Sequence, residues 1–81
     1  MADLAERLEA VVQLMVDEPE EVEVERVRAT RSEVVLEIAA AEGDIGKIIG
    51  RHGRTVRALR SLLEIRGEKE ERRYELEVLD D

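Results

Sequence analysis

The apolar residues at the start of the chain recur at helical spacing, with charged residues on the opposite side. They are Leu4, Leu8, Val11 and Met15. Asp3, followed three positions later by Glu6, resembles a capping box that starts a helix. Pro19 disfavours helical geometry at the residue before it and has no N–H to donate. The pattern predicts an N-terminal helix over residues 3–17.

Two stretches with a period of two follow this helix. Valines alternate with glutamates over residues 21–28, and Val27 breaks the alternation by one residue, which indicates a bulge. Residues 30–32 offer a short turn. Residues 33–39 are more apolar, which is typical of a strand in the centre of a sheet.

Two further helices are predicted on either side of a glycine turn at residues 50–53. Asp44 is expected to cap the first of them, which is short and rich in isoleucine. The second carries an apolar stripe formed by Val56, Leu59, Leu62 and Leu63. Gly67 and the charged run 68–71 are expected to form the last loop, before a closing strand over residues 72–79.

The predicted element order is therefore α-β-β-α-α-β. The short turn makes the first two strands antiparallel, whereas the helical crossover allows the second and last strands to pair in parallel. We predict an α+β fold in which helices cover one face of a three-stranded mixed sheet. No repeat or linker interrupts the pattern, so residues 1–81 are expected to form a single small domain.

The turn Gly50-Arg51-His52-Gly53 is the candidate site for binding chemistry. Two glycines leave the main chain without Cβ atoms, so a phosphate can approach its N–H groups, and they permit backbone angles that other residues rarely adopt. Gly53 would also open a helix, whose first-turn N–H groups lack internal partners and favour an anion. Binding of this kind needs no catalytic residue.

Basic residues are concentrated around this turn, in a span over residues 46–63 that contains no acidic residue. The five are Lys47, Arg51, Arg54, Arg57 and Arg60. The whole chain has a formal charge of −8, so subtracting these five positive charges leaves −13 on the remainder. A polyanion should be attracted to this span and repelled by the rest of the surface. Arg60, at the far end of the span, is not assigned to the site.

Residues 49–56, Ile-Gly-Arg-His-Gly-Arg-Thr-Val, resemble the signature of KH domains. That signature has an aliphatic residue, then Gly-x-x-Gly, two further residues and another aliphatic residue. Over the whole chain, the N-terminal helix ahead of two strands is similar to the small bacterial single-KH proteins of the KhpA type. The resemblance implies a type II KH domain, which carries its extra helix and strand at the N-terminus.

The same resemblance implies that the turn clamps the backbone of about four unpaired nucleotides, with the bases lying over aliphatic side chains. The implied RNA-binding residues are Lys47, Ile49, Gly50, Arg51, His52, Gly53, Arg54 and Arg57. The apolar floor could come from Ile45, Ile48 and Ile49, with Val35 or Ile38. Two positions stay open: His52 is as compatible with solvent as with RNA, and Gly46 serves either helix packing or close contact with RNA.

A biological role is also implied by the resemblance. Proteins of this type are cytoplasmic single-stranded RNA-binding proteins, expected to act as RNA chaperones or post-transcriptional regulators. They pair with themselves and with a larger KhpB-type RNA-binding protein, and they are connected to cell elongation, cell shape and envelope homeostasis. No cofactor is implied.

Other chemistries find little support in the sequence. The only Gly-Lys pair is followed by Ile48 and lacks the earlier glycine of a phosphate-binding P-loop. The chain has no cysteine and one histidine, which leaves no thiol nucleophile and no multi-histidine metal site. Tyr74 is the only aromatic residue, so an aromatic platform for stacking bases is lacking. We expect neither an enzyme nor a metal protein, and neither an export signal nor a membrane span.

A competing interpretation is a protein-interaction module. In this case the glycine turn and the basic helix would mediate dimerisation, and RNA contact would be incidental or supplied by a partner. Self-association that is insensitive to salt, without RNA binding, would favour this interpretation.

Overall fold

The computed structural model describes residues 3–80, so the outermost residues of the predicted 1–81 domain lie outside the described part. The helices and strands are α1 (Leu4–Gln13), β1 (Glu23–Ala29), β2 (Glu33–Ala39), α2 (Ile45–Ile49), α3 (Arg54–Glu70) and β3 (Arg73–Val78). Short 3-10 turns lie at Pro19–Glu21, Glu42–Asp44 and Arg51–Gly53.

The three strands form one mixed sheet with β2 in the centre. β1 pairs with β2 antiparallel, and β2 pairs with β3 parallel. The β1–β2 register shifts between Arg26 and Arg28, which confirms the bulge predicted at Val27. The order and the pairing confirm the predicted α+β fold and match the type II KH arrangement α-β-β-α-α-β.

A single apolar core lies between the sheet and the three helices. Alternate residues of β2 are buried and point to the helices, as expected for a strand covered on one face. The most deeply buried large side chains are Val12, Val34, Leu36, Ile38 and Ile48. They come from α1, β2 and α2, so the helix that precedes the glycine turn is packed directly into the core.

The other face of the sheet carries acidic side chains. The register places Glu25 of β1, Glu37 of β2 and Glu77 of β3 side by side across the three strands. Since these carboxylates share one face, they repel a polyanion from it.

The N-terminal helix starts as predicted but ends earlier. Its first turn is capped by Asp3, whose Oδ1 accepts a hydrogen bond from the N–H of Glu6 at 2.9 Å. The helix ends at Gln13, four residues before the predicted end at residue 17. Past that point the N–H of Leu14 bonds to Val11 O, one residue closer than in an α-helix, and the chain turns away well before Pro19.

The predicted loop at Gly67 is wrong, because α3 continues through this residue to Glu70. Gly67 is buried where the chain reverses after the helix, and a Cβ atom there would collide with the carbonyl oxygen of Arg72. Glu71 ends the helix in the left-handed conformation, with φ of 56°. The N–H of Arg72 then donates to Gly67 O at 2.9 Å. Gly67 is therefore a packing residue of the helix end rather than a loop residue.

Candidate nucleic-acid interface

The glycine turn joins α2 to α3 through four residues, three of which have positive φ angles. Gly50, His52 and Gly53 have φ values of 78°, 57° and 72°. The turn is closed by a hydrogen bond from the N–H of Gly53 to Gly50 O at 3.0 Å. Gly50 combines its positive φ with ψ of 166°, a region that is essentially restricted to glycine. Its backbone angles alone therefore account for a glycine at this position.

The two glycines of the turn have different surroundings. A Cβ atom on Gly50 would lie 2.7 Å from Thr55 Cβ and 2.8 Å from Thr55 N, which is closer than side chains tolerate. Around Gly53 nothing lies within 4 Å of a Cβ position. At position 50 a glycine is needed both for the positive φ angle and because there is no room for a Cβ atom. At position 53 a glycine is needed only for the positive φ angle. The open space at Gly53 leaves the start of α3 accessible.

Arg57 supports the turn from within α3. Its Nη2 donates a hydrogen bond of 2.7 Å to His52 O. Because His52 is a non-glycine residue in the left-handed region, this contact helps to hold an unfavourable conformation. The guanidinium also carries its positive charge to the same place, directly beside the turn.

The remaining side chains of the turn point to solvent. Arg51, His52 and Arg54 are exposed. Among residues 3–80, none of these three side chains forms a hydrogen bond or an ion pair. The sequence placed these residues in the candidate site, and the structure places them together at its tip with their donors free for a ligand.

Lys47 differs from the arginines because its charge is already paired. Its Nζ lies 3.2 Å from Asp17 Oδ2 and 3.4 Å from Asp44 Oδ1. The hydrogen bond and charge of Asp17, joined by those of Asp44, raise the pKa of the Lys47 ammonium. Of the predicted cationic contacts, Lys47 is therefore the one that forms ion pairs among residues 3–80.

Asp44 occupies the N-cap position of α2, but, contrary to the prediction, its side chain does not cap the helix. Its side chain is only 2 % exposed and its carboxylate instead accepts hydrogen bonds from the N–H groups of Asp17, at 3.2 Å, and Glu18, at 3.0 Å. Burial would raise the pKa of this carboxyl, but the two backbone donors and Lys47 outweigh burial and lower it. Asp44 thus ties the segment after α1 to the start of α2, a role that local sequence gave no sign of.

Fewer residues are available for the apolar floor than the sequence suggested. Ile38 and Ile48 are completely buried in the core, and Ile45 is nearly so. Val35 lies on the face of the sheet opposite the helices, since its neighbours in β2 point inward. Ile49, which is half-buried and directly precedes Gly50, is the predicted floor residue that adjoins the turn.

Arg60 lies away from the turn and contacts the edge of the sheet. Its Nε and Nη2 donate to Leu76 O of β3, at 3.3 and 3.0 Å. The edge position of β3 leaves this carbonyl without a strand partner, so the guanidinium satisfies it. The sequence left Arg60 unassigned, and its contacts are structural.

Neither a metal centre nor a membrane span is apparent over residues 3–80. In that range no three His, Cys, Asp or Glu side chains are grouped to hold an ion. None of the helices described there is both long and apolar enough to cross a membrane.

Comparison with known proteins identifies the family. The family model described as "KhpA/KhpB, KH domain" matches residues 5–78, which include all the helices and strands given above except Leu4, the first residue of α1. The chain belongs to the KhpA/KhpB family of KH domains. The matched residues include the glycine turn described above.

Several KhpA proteins resemble the chain over nearly its whole length. The RNA-binding protein KhpA of Treponema pallidum is 40% identical over 81 residues, which cover 99% of this chain and 100% of the relative. That of Chlamydia trachomatis is 38% identical over 78 residues, covering 96% and 99%. That of Borreliella burgdorferi is 41% identical over 75 residues, covering 93% and 90%. No solved structure matches the chain significantly.

Proposed function

We propose that this KH domain binds single-stranded RNA at the turn formed by residues 50–53. The observation that carries the proposal is a turn with an accessible main chain, next to which Arg51, His52 and Arg54 are exposed and have no side-chain partner among residues 3–80. Left-handed glycines expose backbone donors to a phosphate, and Arg51 and Arg54 supply charge. The relatives that match over the whole length are named RNA-binding proteins, which supports the same conclusion.

The proposed contacts are those that the sequence suggested, apart from one. They are Ile49, Gly50, Arg51, His52, Gly53, Arg54 and Arg57. Ile49 would lie under a base, and the two glycines would lie against the sugar-phosphate backbone. The paired ammonium of Lys47 makes it a weaker candidate, and its role is considered in the next subsection.

Charge would set the orientation of the RNA. The turn is basic, whereas Glu25, Glu37 and Glu77 form an acidic row on the far face of the sheet. A single strand would therefore be held along one side of the molecule and kept from the other. With about three or four phosphates in contact, log affinity should fall with log salt at a slope of roughly −2 to −3.

The proposed biological role follows the family resemblance. It is that of a non-catalytic cytoplasmic RNA chaperone or post-transcriptional regulator, acting as a homodimer or with a larger KhpB-type partner, in cell elongation and envelope homeostasis. Two features fit a non-catalytic RNA-binding role. The candidate site consists of main-chain groups and positively charged side chains, and 81 residues leave little room for a deep cleft.

A labelled single-stranded oligoribonucleotide, followed by fluorescence anisotropy, tests the RNA site. The double substitution Arg51→Asp/His52→Asp is expected to abolish binding, while circular dichroism shows that the variant is folded. Arg31→Asp/Lys69→Ala is the control, because it also lowers the net charge by three units but at exposed positions outside the turn. Equal binding by wild type and Arg51→Asp/His52→Asp would contradict the proposed site.

Self-association is a second candidate function, favoured by an apolar surface between α1 and α3. Leu62, Ile65 and Val11 are 62%, 56% and 43% exposed. The stripe prediction for Leu62 was therefore wrong, because this side chain points outward. Leu62 and Val11 border a groove of about 130 Å³ lined by Leu4, Arg7, Leu8, Val11, Leu59, Leu62 and Leu63.

A second copy is the occupant that this surface fits. Protruding side chains and an apolar groove lie on the same patch, so two copies related by a two-fold axis can each insert Leu62 into the other. Sedimentation velocity should show a dimer that Leu62→Asp converts to a monomer, whereas Val27→Asp, at an exposed position on the β1 bulge, has no effect. A wild-type monomer at high micromolar concentration would contradict this second candidate.

A further inference from the structure

We propose that Asp44 and Lys47 are positioning residues that hold the glycine turn in place for RNA, rather than contacts to the RNA. The inference rests on the proposed RNA-binding function. It concerns the cluster in which the buried carboxylate of Asp44 meets the exposed side chains of Asp17 and Lys47, at the start of α2 and away from the exposed side chains of the turn.

The cluster joins two segments that are distant in sequence. The Asp44 carboxylate accepts from the N–H groups of Asp17 and Glu18, so each of its oxygens is bound to the backbone after α1. Lys47 then bridges Asp44 and Asp17 from one turn further along α2. Because Asp44 is 2 % exposed, its two backbone hydrogen bonds are partly shielded from water and attach the segment after α1 to the start of α2.

The distance from this cluster to the turn is short. α2 has only 5 residues and leads directly from Asp44 to Gly50. At 1.5 Å per residue this helix is only about 7.5 Å long, so a displacement at its start reaches the glycine turn within little more than one helical turn. On its inner side α2 is held by Ile45 and Ile48, and on its outer side by Lys47. Loss of the outer attachment would let the turn shift without unpacking the core.

The surroundings of Lys47 also argue against a phosphate contact. The ammonium lies between two carboxylates, and Glu18, Glu20 and Glu21 follow in the same exposed segment. A phosphate would have to displace Asp17 and Asp44 from the ammonium and approach several like charges. Arg51 and Arg54 present no such competition, since their side chains are unpaired among residues 3–80.

The salt dependence of RNA binding separates positioning from contact. Each phosphate contact on a single strand contributes about −0.7 to the slope of log affinity against log salt. Arg51→Gln should therefore make the slope shallower by about 0.7. Lys47→Gln and Asp44→Asn should each weaken binding by roughly three- to tenfold with the slope unchanged, because the competent position of the turn becomes less populated.

Two controls isolate this effect. Lys69→Gln removes an equal charge from an exposed position on α3, so Lys47→Gln should bind more weakly than Lys69→Gln. Glu9→Gln alters another carboxylate that accepts from a backbone N–H, that of Val24 at 3.0 Å, and it should leave RNA binding unchanged. A slope for Lys47→Gln that is shallower by about 0.7 would overturn the inference in favour of direct contact.

Amide spectra without RNA keep the test independent of RNA binding. The ¹⁵N–¹H signals of Gly50 and Gly53 should move in Asp44→Asn and Lys47→Gln but not in Glu9→Gln. Because Lys47→Gln changes an exposed side chain, we expect this variant to fold. Its glycine signals can therefore be measured even if Asp44→Asn does not fold. Unmoved glycine signals in Lys47→Gln would reject the positioning role. Suppose that the wild-type protein binds no RNA, yet the Gly50 and Gly53 signals move in these variants. The proposed RNA-binding function then fails, while the effect of Asp44 and Lys47 on the position of the turn is still supported.

Discussion

Thr55 occupies the space that a side chain at Gly50 would need. A Cβ atom on Gly50 would stand 2.8 Å from the backbone nitrogen of Thr55 and 2.7 Å from its Cβ. The first turn of α3 is thus folded tightly over the end of α2. This close approach is what presents the turn as a short exposed projection.

The two glycines of the turn should respond differently to substitution. Gly50→Ala is expected to destabilise the protein by about 1–3 kcal/mol and to remove RNA binding. Alanine does not tolerate the backbone angles at this position, and its Cβ atom would collide with Thr55. Gly53→Asn should cost less than about 1 kcal/mol, because asparagine tolerates the left-handed region and nothing lies within 4 Å. Urea unfolding and anisotropy measure both effects. Equal losses at the two positions would contradict this distinction.

Gly46 offers a test of close RNA approach without loss of stability. It is exposed within α2 and nothing lies within 4 Å of a Cβ position, so the packing role left open by the sequence is not supported. Gly46→Ala should stabilise the protein by roughly 0.5–1 kcal/mol through helix propensity. If RNA passes along this face, the same variant should bind RNA more weakly despite its higher stability. Unchanged affinity in the stabilised variant would place the RNA elsewhere on α2.

Gly67→Ala should destabilise the protein through packing alone. Its Cβ would collide with the carbonyl oxygen of Arg72 and lie 3.4 Å from the Tyr74 ring. Overpacking of this kind typically costs about 1–3 kcal/mol, part of which helix propensity offsets. Gly43→Ala is a control, since nothing lies within 4 Å there. Thermal or urea unfolding should rank Gly67→Ala below wild type and Gly43→Ala, and the reverse order would refute the assigned role.

Acid should weaken the cluster at Asp44. The pKa of this carboxyl is lowered below its usual 3.8 by the N–H groups of Asp17 and Glu18 and by Lys47, which together outweigh burial. A group whose pKa is lower in the folded state stabilises the fold above its unfolded pKa and loses that contribution as pH falls through its folded pKa. The stability difference between wild type and Asp44→Asn should therefore be constant near neutral pH and shrink below about pH 4. Urea unfolding from pH 7 to 2 measures it, and a difference that grows on acidification would be inconsistent with these bonds.

Much of the fold could be predicted because local patterns and tertiary packing agree. The alternation of valine and glutamate predicted strand β1, since a period of two is a direct consequence of strand geometry. The interruption of this alternation at Val27 predicted the bulge. The glycine turn could also be predicted from the sequence, because the positive φ angles at positions 50 and 53 favour glycine.

The errors occur where tertiary contacts override local signals. Gly67 looks like a loop residue in sequence, but contact with the chain at Arg72 explains its presence within a helix. Leu62 fits the apolar stripe of α3, yet its side chain points away from the core and is exposed, whereas its neighbour Leu63 is buried. Asp44 was predicted to cap α2 from its neighbours in sequence. Its observed backbone partners, Asp17 and Glu18, lie 27 and 26 residues away along the chain, in a segment that no local pattern connects to α2.

A titration of ¹⁵N-labelled protein with a short single-stranded RNA, followed by amide chemical shifts, locates the bound RNA on the surface of the protein. We expect the largest changes at Gly50 to Gly53 and at Arg54, with small changes at Glu25, Glu37 and Glu77 on the acidic face. Shifts confined to the acidic face or to the groove between α1 and α3, with the turn unaffected, would contradict the proposed site.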